Sequence, residues 1–227
     1  YQVYKDSLDK EKIIIPNFTP VYNFQSKIFT DYATPTGEKI FPLSKISNQT
    51  TAMCNEDGEW NIYETDKYGF NNIYSDYKNK DIFILGDSYI EGHCSKPENN
   101  IAGYIEKNSK FKVINNGMAG SGPLMMLATL KEYASIFKPR KVIWYHFHND
   151  IINLQRYEKN SQTLIRYLNE PNFDQNLVSK QDKVDSAIKL YLNKKISKQD
   201  DNYFFTQHFS YKTFFKLWYF RSVLKNF

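Results

Sequence analysis

A chain of 227 residues with 41% hydrophobic content is long enough for a real core, and its nine Gly and eight Pro leave little room for low-complexity linkers. Thirty Lys and Arg against 25 Asp and Glu give a formal charge of +5, but the basic residues are spread out rather than gathered into a block, which argues against nucleic-acid binding. No stretch approaches the roughly 18 consecutive apolar residues of a membrane helix, and no charged-then-apolar leader opens the chain, so the expectation is a soluble protein without a membrane span.

The chain starts at Tyr1 rather than Met and stops in "FRSVLKNF" without a helix stop signal, so cuts at both ends, and a leader or anchor before Tyr1, stay open. Residues 1–79 read as an appended N-terminal loop and β segment. Short β-prone runs such as "IIIP" and "WNIYET" lie between Pro, Gly, Asn and Asp clusters. Asn17-Phe18-Thr19 and Asn48-Gln49-Thr50 match the glycosylation sequon, a tripeptide common by chance and meaningful only in a eukaryotic secreted protein. The two cysteines, Cys54 and Cys94, fit either one disulfide in an oxidising compartment or two buried thiols.

From residue 80 the pattern becomes strand, helix, strand, helix, strand. "IFIL" (82–85) is a continuous apolar run, as in a strand buried on both faces. "SKPENNIAGYIEKN" predicts a helix with Ser95 as N-cap, Pro97 in its first turn, Glu98 at the capping-box position, and Ile101, Tyr104 and Ile105 facing inward. "FKVIN" (111–115) is a second strand, followed by the glycine-rich turn "GMAGSGP". A helix is expected over about 123–138, with Leu124, Leu127, Ala128, Ala134 and Phe137 on one face and Pro123 and Pro139 at its ends. "KVIWYHF" (141–147) is the third strand, ending in "HND", and the chain is mostly helical after Asp150. Alternation of this length demands crossover connections and a parallel sheet, and ligands of such sheets sit beyond the carboxyl ends of the strands.

All three strands end in polar clusters that can do chemistry. Ser88, directly after Gly86-Asp87, can be a nucleophile if a base takes its proton, or it can cap a turn. Gly117, Gly120 and Gly122 allow backbone amides to approach an anion. Their order is not that of a dinucleotide fingerprint, and no Gly-Lys-Ser/Thr follows. Asn149 carries a side-chain donor suited to an oxyanion, and Asp150 can brace the turn. His146 and His148, two apart, would share a strand face. They have no accompanying ligand cluster, so neither a metal nor a cofactor is expected.

The order "GDSYIEG", "NNGMAGSG", "HFHND" on successive strand ends resembles the SGNH hydrolases, the GDSL lipase and esterase family, over residues 80–150, with residues 151–227 as a mainly helical extension or insertion. The resemblance implies Ser88 as nucleophile and backbone oxyanion donor, Gly120 as second amide donor, Asn149 as side-chain donor and Asp87 as structural support. It implies an α/β fold, a three-layer α/β/α sandwich with a flavodoxin-like parallel sheet, incomplete here. A likeness to a bacterial branch with an extra N-terminal segment favours a Cys54–Cys94 bridge, and with it the cell envelope or periplasm.

The expected substrate is a small-molecule or carbohydrate acyl ester. A carbohydrate O-acetyltransferase with the same machinery is an alternative. A second is a non-catalytic glycan- or surface-binding protein, to which Trp60 and the aromatic N-terminal segment are suited. A metallophosphoesterase would need an upstream Asp-x-His that the chain lacks.

The family's Asp-x-x-His is also missing: the residues three before His93, His146, His148 and His208 are Ile90, Ile143, Tyr145 and Phe205. Either the catalytic Asp and His lie beyond residue 227 together with further strands, which is the preferred expectation, or the base has been lost. In both cases these 227 residues alone are expected to hydrolyse esters poorly.

Overall fold

A computed structural model describes residues 15–16, 31–53, 61–72, 77 and 80–196. Asn17, Cys54, Trp60 and His208 lie outside the described residues. The chain divides into two compact units, Tyr1–Lys189 and Leu190–Phe227; the described part of the second, 190–196, is helical.

The N-terminal segment forms short strands between its turn residues. They are β1 (Ile15–Pro16), β2 (Tyr32–Ala33), β3 (Lys39–Ile40), β4 (Thr50–Ala52) and β5 (Ile62–Glu64). β1 runs parallel to β4 and β4 antiparallel to β5, whereas β2 and β3 form a separate hairpin. The hairpin turns through Thr34-Pro35-Thr36-Gly37, where Gly37 donates its amide to the Thr34 carbonyl at 3.0 Å, with proline pre-setting the first corner.

β6 (Ile82–Leu85), β7 (Val113–Asn115) and β8 (Lys141–Trp144) form a parallel sheet in the order β7-β6-β8, so the chain is an α/β protein with its first parallel strand in the middle. The position of β6 explains its composition. All four residues are buried, Ile82 and Ile84 packing with Ile90, Ala102 and Val113 while the Phe83 ring lies against Phe137.

The helices are α1 (Ser88–Glu91), α2 (Ile101–Asn108), α3 (Pro123–Thr129), α4 (Ser135–Phe137), α5 (His148–Arg156), α6 (Gln162–Asn169) and α7 (Gln181–Ile196). No helix among the described residues is long and apolar enough to cross a membrane. A π-helical turn, Leu130–Ala134, joins α3 to α4, and Lys138 in the left-handed conformation stops the run just before Pro139.

Two local expectations are corrected. The helix expected from Ser95 opens as a 3₁₀ turn, Pro97–Asn99, and α2 starts only after Asn100, whose side chain accepts from the Gly103 amide at 2.8 Å. Its inner face is Ala102 and Gly103 with Ile105, which packs against the Ile82–Val113 core as expected, while Ile101 is exposed. Tyr104 is 65% exposed, because an intimate approach of Gly103 to the Pro97 carbonyl turns that face inward. The third strand also ends at Trp144, and His148 opens α5, so His146 and His148 do not share a strand face. The Asp150 carboxylate accepts from the Phe147 amide at 2.8 Å, a helix-start contact that converts the strand end into a helix.

The N-terminal segment is knitted to the helices after Asp150. Gln175 exchanges two hydrogen bonds with the Phe41 backbone, at 2.9 and 3.1 Å. Thr163 donates to Asp31, Ser47 donates to Asp185, and Lys180 and Lys183 reach Glu38. Glu132, buried, accepts from the Tyr167 hydroxyl and the Gln175 and Leu177 amides. Each neutral bond contributes about 1 kcal/mol net, so together they hold residues 31–53 and 61–72 as part of the first unit.

Candidate active site

β6 delivers its carboxyl end into Gly86-Asp87-Ser88. Asp87 is buried and caps α1, one carboxylate oxygen accepting from the Tyr89 amide at 3.0 Å while Oδ2 is buried without a partner. Ser88 is half-buried at the first helical position. Among the described residues no acceptor meets its amide and no partner meets its hydroxyl.

β7 delivers Asn115, which is fully engaged. Its amide donates to Asn72 Oδ1 at 2.8 Å and its carbonyl accepts from Asn72 Nδ2 at 3.0 Å; its Nδ2 donates to the Ile90 carbonyl and its Oδ1 accepts from the Gly117 amide. In the loop that follows, Met118 donates to the Gly86 carbonyl, Ala119 to Glu91 Oε2 at 2.6 Å, Ser121 to the Met118 carbonyl and Gly122 to Glu158 Oε1. From Gly117 to Gly122 the one amide without an acceptor among the described residues is that of Gly120. Glycine is required at two of these positions. A Cβ on Gly117 would sit 2.3 Å from the Glu91 amide nitrogen, and Gly120 has φ +81°.

Beyond β8, Asn149 is the second residue of α5. Its Oδ1 is buried without a partner, and its Nδ2 donates to nothing among the described residues. Asn153, one turn on and therefore on the same helix face, donates from Nδ2 to the Gly120 carbonyl at 3.3 Å. The Tyr89 ring lies 4.8 Å from that of Phe147, between ring centroids. Three contacts thus bring the three strand ends together: Glu91 with Ala119, Asn153 with Gly120, and Tyr89 with Phe147.

The acids around these donors are deeply placed. Burial pushes the Asp150 carboxyl above its ordinary value and the nearby Asp87 charge adds to the rise, while the Phe147 amide and His146, 3.7 Å away, oppose it. Glu158 is buried under the loop and accepts from the amides of Gly122, Leu124 and Met125. Burial outweighs those three donors and, with the Asp150 charge, raises its carboxyl to about 7.

His146 is exposed and faces Asp150, and His148 is exposed with its ring 4.4 Å from that of Phe147. Among the described residues no group of three or more His, Cys, Asp or Glu could hold a metal ion. Cys94 is disulfide-bonded; the other cysteine, Cys54, lies outside the described residues.

Lys45, Asn72, Glu91, Asn153 and Glu158 were not singled out by sequence. Glu91 stood inside "GDSYIEG", three residues after Ser88, the one signal that could have pointed to it. No family model matches the chain, and no curated protein and no solved structure matches it.

Proposed function

We propose that the chain carries the nucleophile and oxyanion hole of an SGNH-type serine hydrolase acting on acyl esters, O-acetyl esters foremost. The observation that carries this reading is the unused amide of Gly120 in a loop whose other amides are all engaged. A backbone donor left unpaired in a loop tied to the helix that opens with Ser88 and to the helix that carries Asn149 suits a developing negative charge. The sheet order β7-β6-β8 agrees with the first three strands of a flavodoxin-like three-layer sandwich, whose ligand crevice lies at the carboxyl edge between the first and third strands.

In the proposed reaction the Ser88 oxygen bonds to the ester carbonyl carbon as a base removes the hydroxyl proton. The carbonyl oxygen takes the negative charge facing the amides of Ser88 and Gly120 and Asn149 Nδ2. Collapse breaks the ester bond, the alcohol leaves with the base's proton, and water then releases the acyl group from Ser88. The base is a histidine, oriented by an aspartate. Tyr89, 51% exposed beside the nucleophile and against Phe147, offers a ring face to a sugar. That favours a carbohydrate ester, and a carbohydrate acceptor in place of water would make the same site an O-acetyltransferase.

The test is fluorophosphonate labelling and acetyl-ester turnover by the full-length protein. S88A should abolish both. N149A should lower kcat by about 10²- to 10³-fold, the cost of one oxyanion donor. Labelling or turnover that survives S88A would overturn the proposal, and binding of an acetylated glycan without either would favour the non-catalytic reading.

A further inference from the structure

The loop that presents Gly120 is tied to the nucleophile's own helix by one side chain, Glu91. It is the last residue of α1, is 1% exposed, and its two carboxylate oxygens point to different partners. Oε2 accepts from the Ala119 amide at 2.6 Å, while Oε1 meets the ammonium of Lys45, which comes from the N-terminal segment. We propose that Glu91 is a positioning residue for the Gly120 oxyanion donor, with Lys45 as the counter-charge that lets a carboxylate occupy this dry site. The inference rests on the reading of Ser88 and Gly120 given above.

Turn geometry gives the contact its consequence. Ser121 donates to the Met118 carbonyl, so Met118 to Ser121 form a β-turn with Ala119 and Gly120 at its two corners. A φ of +81° at Gly120 belongs to a type II turn. Types I and II differ chiefly by a flip of the central peptide, the one that carries the Gly120 amide. Holding the Ala119 amide on one side and the Gly120 carbonyl on the other, through Asn153, fixes the two flanking peptides and so sets where the turn presents the Gly120 amide relative to α1 and α5. A lone carboxylate buried at this depth would be strongly disfavoured, and Lys45 is itself 6% exposed and donates to the Tyr63 hydroxyl at 2.7 Å. Burial pushes the Lys45 ammonium well below its ordinary value. Breaking the pair from one side would leave an uncompensated charge, so its two members must be neutralised together.

Two double variants separate positioning from packing. K45M/E91Q removes both charges but keeps an amide oxygen for Ala119; K45M/E91L has a similar volume and no acceptor. Both should fold, because replacing a buried pair by neutral residues of similar size is often neutral or stabilising. In the full-length protein, K45M/E91Q should keep kcat within about 3-fold. K45M/E91L should lose kcat on the order of 10²-fold with KM unchanged, the cost of a misplaced donor. Amide hydrogen exchange at Ala119 should rise in the leucine variant alone, while β6 stays protected in both.

Equal kcat in the two variants, or equal protection of Ala119, overturns the positioning role. Turnover that persists in S88A overturns instead the reading on which it rests. Should the leucine variant not fold, E91D takes its place, because a side chain one methylene shorter keeps the charge pair but withdraws from Ala119. Unchanged kcat and unchanged Ala119 exchange in E91D would count against the proposal in the same way.

Discussion

β7 and β8 flank β6 with the same parallel pairing, yet every residue of β7 is buried whereas Val142 and Ile143 of β8 are 46% and 38% exposed. On the β7 side, Asn72, Ile90 and Gly117 take up all the hydrogen-bonding groups of Asn115, and Glu91 and Glu158 then fasten the loop that follows. Neither outer strand has a further strand beside it among the described residues, but Glu106, Lys80 and Asn72 take the outer-edge groups of β7. Of the oxyanion donors proposed above, Gly120 therefore stands on the β7 flank, whereas Asn149 follows β8. Preorganisation of a backbone donor needs neighbours that cannot shift, and the loop after β7 supplies them for Gly120.

Truncating one residue from each region gives the sharpest test of this contrast. Ile114→Ala, at 1% exposure in β7, should lower unfolding free energy by about 2–5 kcal/mol. Ile143→Ala, in register beside Ile84 but on the outer strand, should cost about 1 kcal/mol, because much of its area already meets water. Urea unfolding of both variants measures the pair. Similar losses would mean that β8 is covered in solution.

The two flanks also differ in how far they could be read from sequence. "IFIL" declared a two-sided buried strand because nothing polar interrupts it, and Gln181–Ile196 matches the helix expected from "QDKVDSAIKLYLNKKI". That Ser88, Gly120 and Asn149 follow successive strands of the sheet was legible because an apolar run precedes each. The side chains that fasten them were not. Lys45 and Glu91 are 46 residues apart, and Asn72 and Asn115 are 43 apart, so no local pattern links them; only the closed fold brings each pair together. "HFHND" misled for the opposite reason, since a strand-like composition was overruled by one local bond from the Phe147 amide to Asp150.

Glu158 offers a test of the β7 flank by pH. Its carboxyl rises from an ordinary 4.5 to about 7 in the fold, so between those values the unfolded chain has released its proton and the folded chain still holds it. Stability should therefore fall as pH rises from 4.5 to 7, by about 3 kcal/mol from this group, and level off above. Glu158→Gln cannot ionise, so the difference in unfolding free energy between wild type and variant should carry that slope while other groups cancel. The variant loses an acceptor for one of the three loop amides, which offsets its curve without changing the slope. A difference that does not vary with pH would show that the three N–H donors balance burial, leaving the carboxylate charged across the range.

The smallest expected effect lies on the β8 flank. Val142 sits in an outer strand, nearly half exposed, where an unpaired edge with apolar side chains is a template for association with other chains. Val142→Lys puts a charge where water already reaches, so unfolding free energy should move by no more than about 0.5 kcal/mol. The same lysine should suppress edge-to-edge pairing, and sedimentation velocity across a concentration series should show less self-association than in wild type. A loss of more than about 2 kcal/mol would instead place Val142 in a buried setting, since only an uncompensated buried charge costs that much. The contrast between β7 and β8 would then describe residues 80–196 taken alone, with the second flank completed by polypeptide outside the described residues.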